Sequence, residues 1–204
     1  MPKKVDHRAR RTLIADALLR VAADRGLEGV SLRHVAAEAG VSAGMVQHYF
    51  RTKDEMMIFA LEVVGENVEA RLAAEGLGES PAPGELVRAL LVQLLPLDEP
   101  RRAEGRVALA FLAHAAVKPV IAAALRADTA RFRAFVADGI RAAQASGETP
   151  PDLDPDHAAT ALLALVEGLG IHVLGGHYSP ELALAVFDAH VATLFGAVSR
   201  SACP

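Results

Sequence analysis

Residues 31–50 read SLRHVAAEAGVSAGMVQHYF, two short helical phrases hinged on one glycine. Ser31 and Ser42 each stand directly before a run of helix formers, where a hydroxyl can accept an otherwise orphaned backbone N–H. Gly40 lies between the phrases, where a chain leaving one helix for another within a few residues needs a left-handed turn residue. Leu32, Val35, Ala36 and Ala39 share one side of the first phrase. By i, i+4 spacing, Met45, Val46, Tyr49 and Phe50 are expected on the inner side of the second. Two helices packed through such a turn form a helix-turn-helix. The outer side of the second helix then carries Ala43, Gly44, Gln47 and His48, and is nearly bare at its N-terminal end.

A bare helical surface can approach base edges in a major groove about 12 Å wide. Gln47 has the amide geometry to pair with adenine N6 and N7, and His48 or Tyr49 can reach a phosphate. Ser31, Ser42, Thr52 and Lys53 fall at helix starts, where hydroxyls, orphaned N–H groups and the positive dipole end suit phosphate oxygens. Arg33, one turn into the first phrase, is long enough for a guanine or the backbone. Lys3, Lys4, Arg8, Arg10 and Arg11 are expected to form a flexible arm along the DNA backbone or into the minor groove, adding salt dependence more than sequence choice. The charge balance allows this: residues 1–53 hold ten Lys/Arg against five Asp/Glu, leaving eleven against twenty in the remainder of a chain whose net charge is −4. A basic head on an acidic body suits a polyanionic partner, although a solvated basic tail gives the same count.

Working outward, Leu13, Ala17, Leu18 and Val21 predict a helix over 12–24, closed by Gly26. Thr52-Lys-Asp-Glu55 has the form of a capping box and opens a long helix over 53–75. GLGESPAPG, residues 76–84, is a turn-rich break and the expected domain boundary. Helices follow over 85–95, 101–116 and 119–146, the last with Ile121, Leu125, Phe132, Phe135, Val136 and Ile140 facing inward. Asp154-Pro155 and Ser179-Pro180 each pair an N-cap with proline at the first helical position and open the last two helices. Aromatic residues are only 4% of the chain, and β-branched residues never alternate as in strands. The fold class is therefore all-α, with about nine helices. A three-helix head over 1–52 is joined by the helix over 53–75 to a larger bundle over 76–204.

AATALLALVEGLGIHVL, residues 158–174, is apolar all round except at Glu167 and His172, so it needs partners on two sides. A membrane span is possible by length, but Glu167 near its middle, an acidic flank and the absence of a basic flank argue against one. The better fit is a homodimer in which this helix and SPELALAVFDAHVATLF (179–195) build a four-helix interface. The residues expected there are Leu162, Val166, Leu169, Val173, Leu184, Phe187, Val191 and Leu194.

Phe111, His114, Phe132, Phe135, Val166 and Gly170 are candidates for a small-molecule cavity, and ordinary core packing explains the same Phe and His stripe. His157, His172, His177 and His190 share a region without an H-x-x-x-H pair or a neighbouring cysteine, so no metal site is assigned. No Ser/His/Asp set, paired carboxylate motif or phosphate loop appears, and an enzyme is not expected. Nor is any cofactor expected. The N-terminal stretch has no apolar signal core, and the single Cys203 fits a reducing compartment, so a cytoplasmic location is expected.

SLRHVAAEAGVSAGMVQHYFRTKDEMM resembles the DNA-binding signature of the tetracycline-repressor (TetR) family, in a match covering residues 8–60. The resemblance implies base-facing positions at Arg33, Ala43, Gly44 and Gln47, and backbone-contacting ones at Ser31, Ser42, His48, Tyr49 and Lys53. Many members carry tyrosine where this chain has Gln47. GRVALAFLAHAAVKPVIAAAL and LVEGLGIHVLGG resemble the subgroup containing the betaine-pathway repressor, which implies a dimer through the last two helices and a cavity among the central ones. The function expected is a homodimeric transcriptional repressor that leaves its operator DNA when a small-molecule effector, not named by the sequence, binds. The alternative is a DNA-binding regulator without a small-molecule ligand, controlled by abundance or a protein partner.

Overall fold

The computed structural model describes residues 3–78 and 80–196, with side chains from His7 onward; Cys203 lies outside them. The described residues form nine α-helices: α1 (Lys3–Arg25), α2 (Leu32–Glu38), α3 (Ala43–Tyr49), α4 (Lys53–Ala74), α5 (Pro83–Val92), α6 (Glu99–Ala115), α7 (Pro119–Ser146), α8 (Pro155–Leu174) and α9 (Pro180–Phe195). A single 3-10 turn, Leu27–Gly29, joins α1 to α2. The caps read from the sequence are formed. Ser31, Ser42 and Ser179 accept from the backbone N–H of His34, Met45 and Leu182 at 3.2, 3.1 and 3.2 Å. The Asp154 carboxylate accepts from Asp156 and His157, both at 2.9 Å. These bonds, chiefly the one from His157, hold its carboxyl below the usual range.

The chain divides into two compact units, residues 1–68 with 102–126, and 69–101 with 127–204. These units part at a different place from the turn-rich stretch 76–84. The parting falls inside α4, and α6 and the first turns of α7 belong with the head. Their apolar residues explain this: Val107, Phe111 and Ile121 are buried in the same core as Ile14 and Leu18 of α1, Val46 of α3 and Met56, Phe59 and Val63 of α4. Helix α1 begins nine residues before the expected start, and the flexible arm is replaced by helix. Arg8 pairs with Glu66, and Arg11 lies 3.6 Å from Glu55, so two of the supposed arm residues are held against α4. The Arg11 guanidinium also sits over the rings of Phe50 and Phe59, 4.7 and 4.3 Å from their centroids.

In the second unit α5, α8 and α9 pack together, with Val87, Leu91, Leu162, Val166, Phe187 and Val191 buried. Arg88 of α5 grips the Asp188 carboxylate of α9 through two parallel bonds of 2.8 and 2.9 Å. Asp156 at the start of α8 receives Arg133 and Arg141 of α7, both at 2.5 Å. Phe135 is not inward as expected but 52% exposed. The buried stripe of this part of α7 is Val136, Ala137, Ile140 and Ala143, and a residue one before Val136 is turned about 100° from it. Helix α8 is long and apolar enough to span a membrane by length and composition, but one side of it is buried in this unit.

Gly139 marks a close approach: a Cβ there would stand 2.5 Å from Cγ2 of Val87. Gly139→Ala should therefore cost about 1–3 kcal/mol in denaturant unfolding. In a Val87→Ala background the same change should cost at least about 1 kcal/mol less. Strict additivity of the two substitutions would show that the approach is relieved elsewhere.

Candidate nucleic-acid interface

The geometry of α2 and α3 follows from what they bury. Val35, Val46 and Phe50 are fully buried, and Ala36 is 4% exposed. Gly40 turns the chain at φ +66°, with Gly40 N–H donating to Ala37 O at 3.2 Å and Val41 N–H to Ala36 O at 3.0 Å. Residues with a Cβ rarely adopt that conformation. With Val46 and Phe50 turned in, Ala43, Gly44, Gln47 and His48 are all exposed on the opposite side, and Tyr49 is half-buried at the flank. Met45 departs from expectation at 37% exposed. It precedes Val46 by one residue, which swings it off the buried line. The bareness of the outer face is not forced by packing, since a Cβ at Gly44 would meet only the Ser42 hydroxyl, at 3.9 Å.

The other expected DNA contacts gather around this helix in varied states. Arg33 is exposed on α2, and Ser31 and Ser42 use their hydroxyls as caps. Thr52 accepts from Glu55 N–H at 3.0 Å, while Glu55 reaches back to Arg51 N–H at 2.9 Å, one residue before the position a capping box implies. Lys53 is half-buried, its ammonium donating to the Leu27 carbonyl at 2.7 Å. That bond ties the start of α4 to the 3-10 turn and leaves two of the ammonium's three donors for other partners. His34 places Nδ1 2.7 Å from the Gly29 carbonyl. His7, which sequence reasoning passed over, packs edge-on against Tyr49 with ring centroids 4.9 Å apart. No periodicity in the polar start of α1 signals that contact.

The six cavity candidates do not share one surrounding. Phe111 is fully buried in the core of the first unit, and His114 is half-buried at the last turn of α6. In the second unit Val166 and Gly170 are buried within α8, Phe132 is half-buried and Phe135 faces solvent. An open groove of about 940 Å³ lies elsewhere, beside α1, lined in part by His7, Arg8, Arg11, Thr12, Asp16 and Phe59. Burial pushes the Asp16 carboxyl up against the opposing pull of Arg20, and nearby Glu66 adds to the rise. The residues expected at the dimer interface are in the core of the single chain: Leu162, Val166, Leu169, Val173, Phe187 and Val191 are buried, and Leu184 and Leu194 half-buried. The faces are inverted relative to expectation. Exposed on α8 are Ala161, Ala164, Glu167 and Ile171, and on α9 Leu182, Ala185, Val186 and Ala189.

Residues 14–58 match the family model for bacterial regulatory proteins of the tetR family, and residues 83–196 match that of the BetI-type transcriptional repressor C-terminal domain. The HTH-type transcriptional regulator PksA of Bacillus subtilis is 36% identical over 174 residues, 85% of this chain and 83% of that protein. The regulator BetI of Burkholderia thailandensis is 27% identical over 94% of this chain and 96% of its own length. Among solved structures, a transcriptional regulator from Rhodococcus superposes with TM-score 0.76 at 36% identity, covering 90% of this chain and 95% of that one. A regulator from Saccharomonospora viridis, solved in complex with choline, superposes with TM-score 0.77 at 29% identity and the same coverage. The bare recognition helix, its caps and these matches have one conclusion: the chain belongs to the TetR family of DNA-binding transcriptional regulators, with a BetI-type repressor C-terminal domain.

Proposed function

We propose that the protein is a homodimeric repressor whose two heads bind a partly palindromic operator and whose hold is released by a small-molecule effector. The observation that carries the DNA reading is the outer face of α3, small at Ala43 and Gly44 and polar at Gln47 and His48. Gln47 on that face and Arg33 of α2 are the base-reading residues; Ser31, Ser42, His48, Tyr49 and Lys53 hold the backbone.

The dimer reading is supported by the exposed face of α8 and α9, where Leu182, Val186 and Ile171 are 50%, 41% and 43% exposed among alanines. Such a patch marks an association surface. Glu167 lies on it, and desolvation pushes its carboxyl up. The effector reading is supported by the choline complex of the Saccharomonospora viridis relative. Choline itself is not carried over, because a cation cage favours tyrosine and tryptophan and this chain has two tyrosines and no tryptophan. Release works through differential affinity: a coupling of about 1–3 kcal/mol weakens operator binding roughly 5–150-fold. The route runs through α6 and the start of α7 as well as α4, since all three contribute to the core that holds α3.

Gln47→Ala should relax preference at one symmetric pair of operator positions, at about 1–3 kcal/mol of discrimination per contact. A uniform loss across all sequences would make Gln47 a backbone contact. Gly44→Leu should leave thermal stability unchanged or raised, because the site is open and leucine favours helix, yet abolish operator binding. Retained binding would remove the clearance argument. Leu182→Glu with Val186→Glu should convert a dimer to a folded monomer in sedimentation equilibrium and weaken operator binding by about 100-fold or more. A variant that remains dimeric would place the interface on another face.

A further inference from the structure

We propose that His7 is a further DNA-contacting residue, and that with His48 it makes the head's hold on DNA depend on proton uptake. The inference rests on the DNA-facing reading of α3. Helix α1 reaches back to Lys3, and its second turn sets the His7 ring against Tyr49 with centroids 4.9 Å apart and planes at 62°. His48 meets the same phenol ring at 5.1 Å and 81°. Tyr49 is half-buried, while both imidazoles are exposed. A phenol at the flank of α3 thus lies against two exposed imidazoles.

The chemistry of that arrangement suits a phosphate. The Tyr49 hydroxyl can donate one hydrogen bond and never carries positive charge. An imidazolium donates from both nitrogens and adds a full charge. Histidine is the side chain whose ordinary range, near pH ~6.5, lies closest to neutrality. A phosphate beside it favours the charged form. The DNA complex therefore holds the proton more tightly than the free head, and affinity rises as pH falls through the interval between the two.

The arginines of α1 near His7, Arg8, Arg10 and Arg11, stay charged throughout that interval and so add no pH dependence of their own. On α1, Arg8 is paired with Glu66 of α4, and Arg11 with Glu55 of α4 at 3.6 Å. Asp16, two turns further along α1, lines the same groove as His7. On α3 the titratable groups are His48 and Tyr49. His34 of α2 is engaged with the Gly29 carbonyl at 2.7 Å and serves as an internal comparison.

The test uses the full-length protein and a fluorescein-labelled duplex of about 30 base pairs that the protein itself selects from random DNA. Dissociation constants are measured over a salt series at pH 6.0 and pH 8.0. Wild-type binding at pH 8.0 establishes the DNA reading independently of His7. His7→Gln should match wild type within about twofold at pH 8.0 and bind about tenfold more weakly at pH 6.0. Its salt slope at pH 6.0 should be shallower by about one per head. His48→Gln, at a backbone-contacting position, should lose affinity at both pH values and more at pH 6.0; the double variant should lose most of the pH dependence, and His34→Gln should retain it. A His7→Gln protein with the wild-type pH profile overturns the proposal. So does one equally weakened at both pH values, which would make His7 only a packing partner of Tyr49.

Discussion

A helix of seven residues does not persist in water by itself, and α3 is such a helix. Its direction depends on the burial of Val46 and Phe50 against a core built by α1, α2 and α4. At roughly 1.5–3 kcal/mol for each large apolar side chain buried, these two residues outweigh any local preference of the segment. Everything proposed for the outer face follows from that inner one. Ala43, Gly44, Gln47 and His48 face outward because the helix has only one way to bury its apolar pair, and Gly40 allows the chain to enter at the required angle.

The same core also ties α6 and the start of α7 to α3. Phe111 of α6 and Ile121 of α7 are buried in the core that fixes α3. Asn67 of α4 donates to Glu104 of α6 at 3.1 Å, adding a polar link between the same elements. Close-packed side chains do not deform continuously, so a shift of α6 has to be accommodated by the residues around it. The release proposed above therefore acts through helices that bury residues in the same core as α3.

The head was legible because its punctuation is local chemistry. Ser31, Gly40, Ser42 and Thr52 act through bonds to residues within a few positions, so their roles can be read from spacing alone. Three features were not legible for reasons of the same kind. Residues 3–11 have no apolar periodicity, and the helix there is held by pairing with α4, which sequence does not display. Helices α8 and α9 are apolar on both sides, so their pattern does not say which side is internal; Leu162 and Phe187 are buried, Ile171 and Val186 exposed. Phe135 looked inward because it is aromatic, yet a one-residue offset from Val136 decides its side. The turn-rich stretch 76–84 marks a break between helices, whereas the compact units are set by which helices bury residues together, and no local signal displays that.

The central claim is that the bare face of α3 enters the major groove. Methylation interference on a duplex selected by the protein from random DNA tests it most directly, because methylation at guanine N7 obstructs the major groove and at adenine N3 the minor. The account predicts interference at guanines in two dyad-related segments centred one helical turn or more apart. Interference confined to adenines, or the absence of any selected sequence, would contradict it.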